Sequence, residues 1–232
     1  MTVVLLAGAT TIAAGIDSPA VVTETAERGS AVRVVPTLPP PAESARYRVT
    51  IVQEWSRSTH PTTLPPGWHT SPAVLAAHAG PGDMVPVGAV ASPGIESMAE
   101  TGRTALLRGE LRANPRVGDV DTGRGIFFAG TDELEVTVTQ QTPRLSLVSM
   151  LAPSPDWFFG FHDVPVFEVD RWRDRAVLDL VPYDAGTDSG SRFTSGDVDT
   201  QPRQPIAGPR DVGYVAAATE GRFGYVVIER IA

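Results

Sequence analysis

Residues 45–55 alternate without a break: Tyr47, Val49, Ile51, Gln53 and Trp55 on one side, Arg48, Thr50, Val52 and Glu54 on the other. A period of two places one set on a buried face and the other in solvent, which is the pattern of a half-buried strand and incompatible with a helix. Leu134, Val136 and Val138 repeat it against Glu135, Thr137 and Thr139. Leu145–Leu151, Ala176–Val181, Val212–Ala218 and Phe223–Ile231 are further strand-like runs rich in β-branched and aromatic residues. Such spacing predicts an all-β fold of antiparallel sheets. Helix is confined to two expectations, two turns over Pro72–Ala79 and short helices within Gly94–Leu111, interrupted at Gly102. The segment Ala185–Arg210, dense in Gly, Asp, Ser, Thr and Pro, predicts a long surface loop, and loops of that length tend to carry function.

A chain of 232 residues with 42% hydrophobic content can bury one sizeable core. Three segments are expected. Residues 1–15 include the apolar run Val3–Gly15, which resembles the core of a signal peptide but lacks a charged n-region, since no basic residue precedes Arg28. A buried N-terminal strand is the alternative. Residues 16–44 form a Pro-rich linker containing Pro39, Pro40 and Pro41, and residues 45–232 form the folded domain. The net charge of -8, with arginine the only strongly basic residue type and no basic run, excludes a phosphate-backbone footprint and hence nucleic acid as partner. No stretch reaches the length of a membrane span. The absence of cysteine says nothing against export.

Two acidic segments carry candidate chemistry. In Asp184-Ala185-Gly186-Thr187-Asp188, Gly186 can curl the chain so that both carboxylates face one point, and Asp156, in Pro153-Ser154-Pro155-Asp156-Trp157, would be a third. Carboxylates and loop carbonyls suit calcium, which takes about six to eight hard oxygens. Turn-capping aspartates are the alternative.

These residues also carry a family resemblance. Tyr47–Pro61, Trp68, Ser71–His78, Ala91-Ser92-Pro93-Gly94 with Ala99-Glu100-Thr101-Gly102, then SPDW at 154–157 and DAGTDSG at 184–190, resemble in order the spondin domain of F-spondin and mindin. The resemblance implies a C2-like antiparallel β-sandwich in an extracellular protein. It also implies calcium held by the aspartates that fall here on Asp156, Asp184 and Asp188, 28 positions separating the first two. The cysteines and thrombospondin-type repeats of the animal members have no counterpart here, so the chain resembles a stand-alone, prokaryotic-looking version. Partners of the animal proteins do not transfer residue by residue. A secreted or cell-surface recognition or adhesion module, binding a glycan or an extracellular protein, is the expectation.

Other constellations are weaker. Asp121-Thr122-Gly123 and Asp188-Ser189-Gly190 resemble the paired motifs of aspartic proteases, but without the hydrophobic strands and lobes those need. His60, His69 and His78 recur every nine residues without a zinc motif, and His60 and His78 are expected to be buried framework residues. His162, among Phe158, Phe159 and Phe161, would be a base only with a nucleophile such as Ser154 beside it, and no GxSxG elbow exists. Of Trp55, Trp68, Trp157 and Trp172, most are expected in the core, with Trp157 a candidate ligand-stacking residue. Glu100 is expected to be structural, with an oxygen near the metal as the other reading.

Overall fold

The computed structural model describes residues 41–232 and, N-terminal to them, one short antiparallel pair, β1 (Val21–Val22) with β2 (Val35–Pro36). The signal-peptide expectation and most of the linker lie outside the described residues. Ala42–Ala232 form one compact unit.

That unit is an antiparallel sandwich. One sheet has the order β13 (Arg175–Asp179), β15 (Gly224–Arg230), β3 (Ser44–Gln53), β8 (Gly130–Thr139). The other runs β14 (Val181–Asp184), β10 (Trp157–Pro165), β9 (Arg144–Ala152), β4 (His69–Thr70), β7 (Ile126–Phe127), with β5 (Val74–His78) pairing β9 and β6 (Val117–Thr122). A short hairpin, β11 (Phe167–Glu168) with β12 (Arg171–Trp172), stands apart from both. The alternation of β3 does what its period requires: Tyr47, Val49 and Ile51 are buried and meet Leu134, Val136 and Val138 of β8, Val226 and Ile228 of β15, and Leu145, Leu147, Phe159 and Phe161 of the facing sheet.

The middle of the second sheet, β5, β9 and the first half of β10, is buried on both faces. Val74, Ala76, Val148, Met150 and Phe158 point away from the sandwich into a second cluster with Ile95, Met98 and Ala99 of α1 (Pro93–Thr101) and Leu107 and Leu111 of α2 (Ala105–Ala113). This corrects the reading of Pro72–Ala79 as helical turns. Val74–His78 is a strand whose five residues are all buried, and a short unbroken apolar run does not distinguish a doubly covered strand from a helix. The helix pair itself agrees with the sequence. Ser92 Oγ accepts from Ile95 N at 3.2 Å at the start of α1, and Gly102 ends it in the left-handed region at φ 68.

A second correction concerns Val212–Ala218, which is helix α3 (Val212–Glu220) and not a strand. Its alanines are good helix formers, and only Tyr214 and Ala217, one turn apart, are buried. Tyr214 donates from its hydroxyl to the carbonyls of Phe158 and Tyr183, at 2.9 and 3.0 Å, which pins α3 to the site end of β10 and β14.

At the edge of the first sheet, the outward N–H groups of β8 are closed by side chains. Asp121 accepts from Glu135 N and Asp119 from Thr137 N, each at 2.9 Å, both aspartates lying on β6 of the other sheet.

Candidate metal centre

β9 ends at Ala152, and the Pro-Ser-Pro turn that follows delivers Asp156 immediately before β10. Ser154 Oγ accepts from Trp157 N at 3.2 Å and fixes the turn. Because β10 and β14 pair with Trp157 opposite Asp184, the two strand ends bring Asp156 and Asp184 together. Gly186 then curls the chain at φ 76. A side chain could not: a β-carbon there would lie 2.3 Å from the carbonyl oxygen of Gln204. The curl aims two backbone N–H groups back at Asp156, whose Oδ2 accepts from Thr187 N at 2.7 Å and Asp188 N at 3.2 Å. Asp184 accepts from Gly186 N at 2.9 Å and pairs with Arg210 Nε at 3.2 Å. Asp188 accepts from Gly190 N at 2.6 Å and Val198 N at 3.1 Å.

The 185–210 segment is thus a folded ribbon, not the wholly superficial loop its composition suggests. Thr200 N donates to Thr187 O, Ser189 N to Val198 O, and Asp184 and Ala207 exchange both backbone bonds. Ala185, Phe193 and Ile206 are buried beneath it.

The three aspartates are almost without solvent, Asp156 at 0% exposure. Its Oδ1 has no hydrogen-bond partner. Burial raises the Asp156 pKa, and the charge of Asp188 adds to the rise while the loop N–H groups oppose it. Asp184 is pushed up to about 7, first by burial, then by the charge of Asp156, with Arg210 opposing. Glu100, from α1, is a fourth acid at this place. Its pKa is raised by burial, with Thr187 opposing the rise, and its Oε1 is also buried without a partner.

An orphaned carboxylate oxygen beside a raised neighbour, in a set of hard oxygen donors, fits a calcium-type cation. As the side chains stand, no three Asp, Glu or His groups among the described residues are arranged to hold a metal. The loop N–H groups and Arg210 engage the other oxygens, although a carboxylate oxygen with one such bond retains a second lone pair.

The remaining candidates are dispersed. Trp157 is 0% exposed, stacked on Tyr214 at 4.4 Å and edge-on to Phe193, so the structure makes it a core residue and corrects its candidacy as a stacking platform. His78 bonds Ser146 Oγ and Gly80 O, His60 bonds Thr59 Oγ1, and His69 bonds Gly67 O, three separate surroundings. His162 bonds Asp163 at 2.9 Å, while Ser154 is engaged with the Trp157 backbone. Asp121 serves the sandwich seam and Asp188 the loop, so the pair shares no proton. Glu100, expected to be structural or to place an oxygen near the metal, lies beside the aspartates. The sequence reading passed over a pair of exposed phenylalanines between Gly125 and Gly130, which the glycine-flanked GIFFAG string would have marked as an aromatic turn.

A family model described as Spondin_N matches residues 45–211. Human Spondin-2 is 33% identical over 172 residues, covering 70% of this chain and 51% of that protein. Rat Spondin-2 is 32% identical over 173 residues, with 52% of its length covered. Spondin-1 of Gallus gallus is 31% identical over 173 residues, 22% of its length. The matched part therefore spans about half of the Spondin-2 relatives and a smaller share of Spondin-1.

Proposed function

The chain belongs to the Spondin_N family, and on that footing we propose that it is a secreted, calcium-binding recognition or adhesion module, working by binding a glycan or an extracellular protein and not by turnover. Asp156, Asp184 and Asp188 would hold the ion. The observation that carries this reading is Asp156 Oδ1, a carboxylate oxygen at zero exposure with no partner. A bound cation supplies the missing partner and offsets the mutual repulsion of the acids. Its effect on the chain would be to lock the ribbon of residues 184–207 against the strand ends, ordering the surface that the ribbon presents.

Thermal unfolding in calcium, in magnesium and in chelator tests it. With calcium at about a hundred times its dissociation constant, a specific site adds about 2.7 kcal/mol to the wild type. Asp156→Asn is expected to lose that gain and to be more stable than wild type in chelator, because a buried charge is removed while an acceptor oxygen remains. Equal midpoints in calcium and chelator would sink the calcium reading.

The pH dependence is expected to change sign with the ion. Asp184 is pushed up to about 7 when folded, against about 4 unfolded. Between those values the folded protein binds the extra proton, so its contribution to stability falls as pH rises through the window in chelator. Calcium needs the ionised carboxylates, so binding strengthens over the same window. Buried His60 and His78, both lowered chiefly by burial, contribute alike in the two conditions and cancel in the difference. The gap between the calcium and chelator midpoints should widen from pH 5 to pH 7.5. A gap that stays constant would contradict the assignment of Asp184.

A further inference from the structure

Phe127, the last residue of β7, and Phe128, which opens the turn to β8, are 69% and 55% exposed, while Ile126 beside them is buried. The turn is rigid. Phe128 lies at φ 66, where a residue with a side chain is strained by about 1–2 kcal/mol. Its carbonyl accepts from Gln53 Nε2, and Gln53 Oε1 accepts from the Thr70 hydroxyl at 2.7 Å, both side chains buried. The rings are braced as well. Phe127 stacks on His69 with centroids 5.0 Å apart and planes 13° from parallel, and Phe128 meets Trp68 edge-on at 5.0 Å. Trp68 is anchored by its Nε1–H to Trp55 O at 3.1 Å. Buried hydrogen bonds and a strained backbone thus hold two phenyl rings in water, the opposite of what stability alone selects.

Ala129, the next residue, forms part of the wall of a hollow of about 540 Å³, completed by Gln53, Glu54, Ser56, Ser58, Thr59 and Arg222. The hollow is a broad groove open to solvent and not an enclosed pocket, suited to an extended ligand lying along the surface. Arg222 is the one cation of the wall, and it is already paired with Glu54 at 2.7 Å and Asp179 at 3.0 Å. The wall's own cation is thus neutralised, which disfavours a sulfated, phosphorylated or carboxylated ligand inside the hollow, while the exposed Arg57 between Ser56 and Ser58 lies outside the lining. The hydroxyls of Ser56 and Ser58, 2.7 Å apart and exposed, and the Glu54 carboxylate supply donors and acceptors.

An aromatic rim beside a hydroxyl-lined, internally neutralised hollow complements a ligand with an apolar C–H face and a girdle of hydroxyls. We propose that Phe127, Phe128 and the hollow behind Ala129 form a binding site for a neutral glycan. The C–H face of a pyranose lies on the phenyl rings and its hydroxyls reach Glu54, Ser58 and Arg222. The proposal rests on the recognition reading and deepens it by naming surface and ligand class; it does not depend on the aspartate centre.

The full chain is titrated, in calcium and in chelator, with cellohexaose, chitohexaose, mannohexaose and xylohexaose, and with heparin as the charged comparison, following the Trp68 indole N–H by NMR. At least one neutral oligosaccharide should bind and shift that resonance. Phe127→Ala should weaken binding about tenfold or more. Phe128→Gly should weaken it similarly while raising the unfolding midpoint, because glycine relieves the strain; lost binding with gained stability is not the signature of a structural residue. Binding of none of the four, binding of heparin alone, or unchanged affinity in both variants would overturn the proposal. So would a monomer–dimer equilibrium that the same substitutions abolish, which would make the turn a self-association surface. Sugar binding without a calcium-dependent midpoint would count against the aspartate centre alone, and a calcium-dependent midpoint without sugar binding against this proposal alone.

Discussion

Trp157→Ala should destabilise the metal-free protein by about 4 kcal/mol, the usual cost of a large aromatic truncated in a closed core, and lower the unfolding midpoint by on the order of 10 °C. The indole has no exposed surface, lies parallel to the Tyr214 ring and edge-on to Phe193. It therefore joins β10, α3 and the 185–210 ribbon at one point. Because Trp157 follows Asp156 and pairs with Asp184, the same substitution loosens both acids. Denaturant unfolding in chelator measures the first effect and the calcium-induced shift measures the second. A loss below about 1 kcal/mol would mean that the stack is incidental to the core.

Gly186→Ala is the second large effect, and it should be local. The substitution adds left-handed strain at φ 76 to a collision with the Gln204 carbonyl at 2.3 Å, and the colliding atom is backbone. A cost of about 2–4 kcal/mol is expected. Relief comes from lifting residues 200–207 off the curl, which withdraws the N–H groups of Thr187 and Asp188 from Asp156. The variant should keep a cooperatively folding sandwich, lose its calcium-induced shift, and be cut by protease within 191–205 where wild type resists. Gly196→Ala, with open space around its β-carbon, is the matched control and should change nothing. Protease resistance equal to wild type in Gly186→Ala would show that the ribbon does not depend on the curl.

The sandwich was readable wherever a strand has one face in solvent. Tyr47–Trp55 and Leu134–Val138 alternate because only alternate positions must be apolar. It was unreadable where covering helices remove that constraint, so Val74–His78 lost its period and passed for helix. Val212–Ala218 failed differently: its valines and tyrosine suggested strand, while the contact that decides the matter, Tyr214 reaching two carbonyls in other strands, is not local. At the acidic centre, Asp156, Asp184 and Asp188 were legible as a set, and strand pairing brings the first two together. Glu100 was legible only as one of two readings, and Arg210 on Asp184 was not legible at all, since it depends on how distant segments return to the same end of the molecule.

The seam formed by Asp119 and Asp121 has a consequence for life at high local concentration. A ten-residue strand at the margin of a sheet is a template on which a strand from another molecule can grow, the first step towards fibrils. In β8 the outward N–H groups of Glu135 and Thr137 already bind carboxylates from the opposite sheet. A newcomer would have to displace two charge-assisted bonds and would meet two negative charges where it needs carbonyl oxygens. The feature that closes the side of the sandwich therefore also opposes the addition of a foreign strand along it.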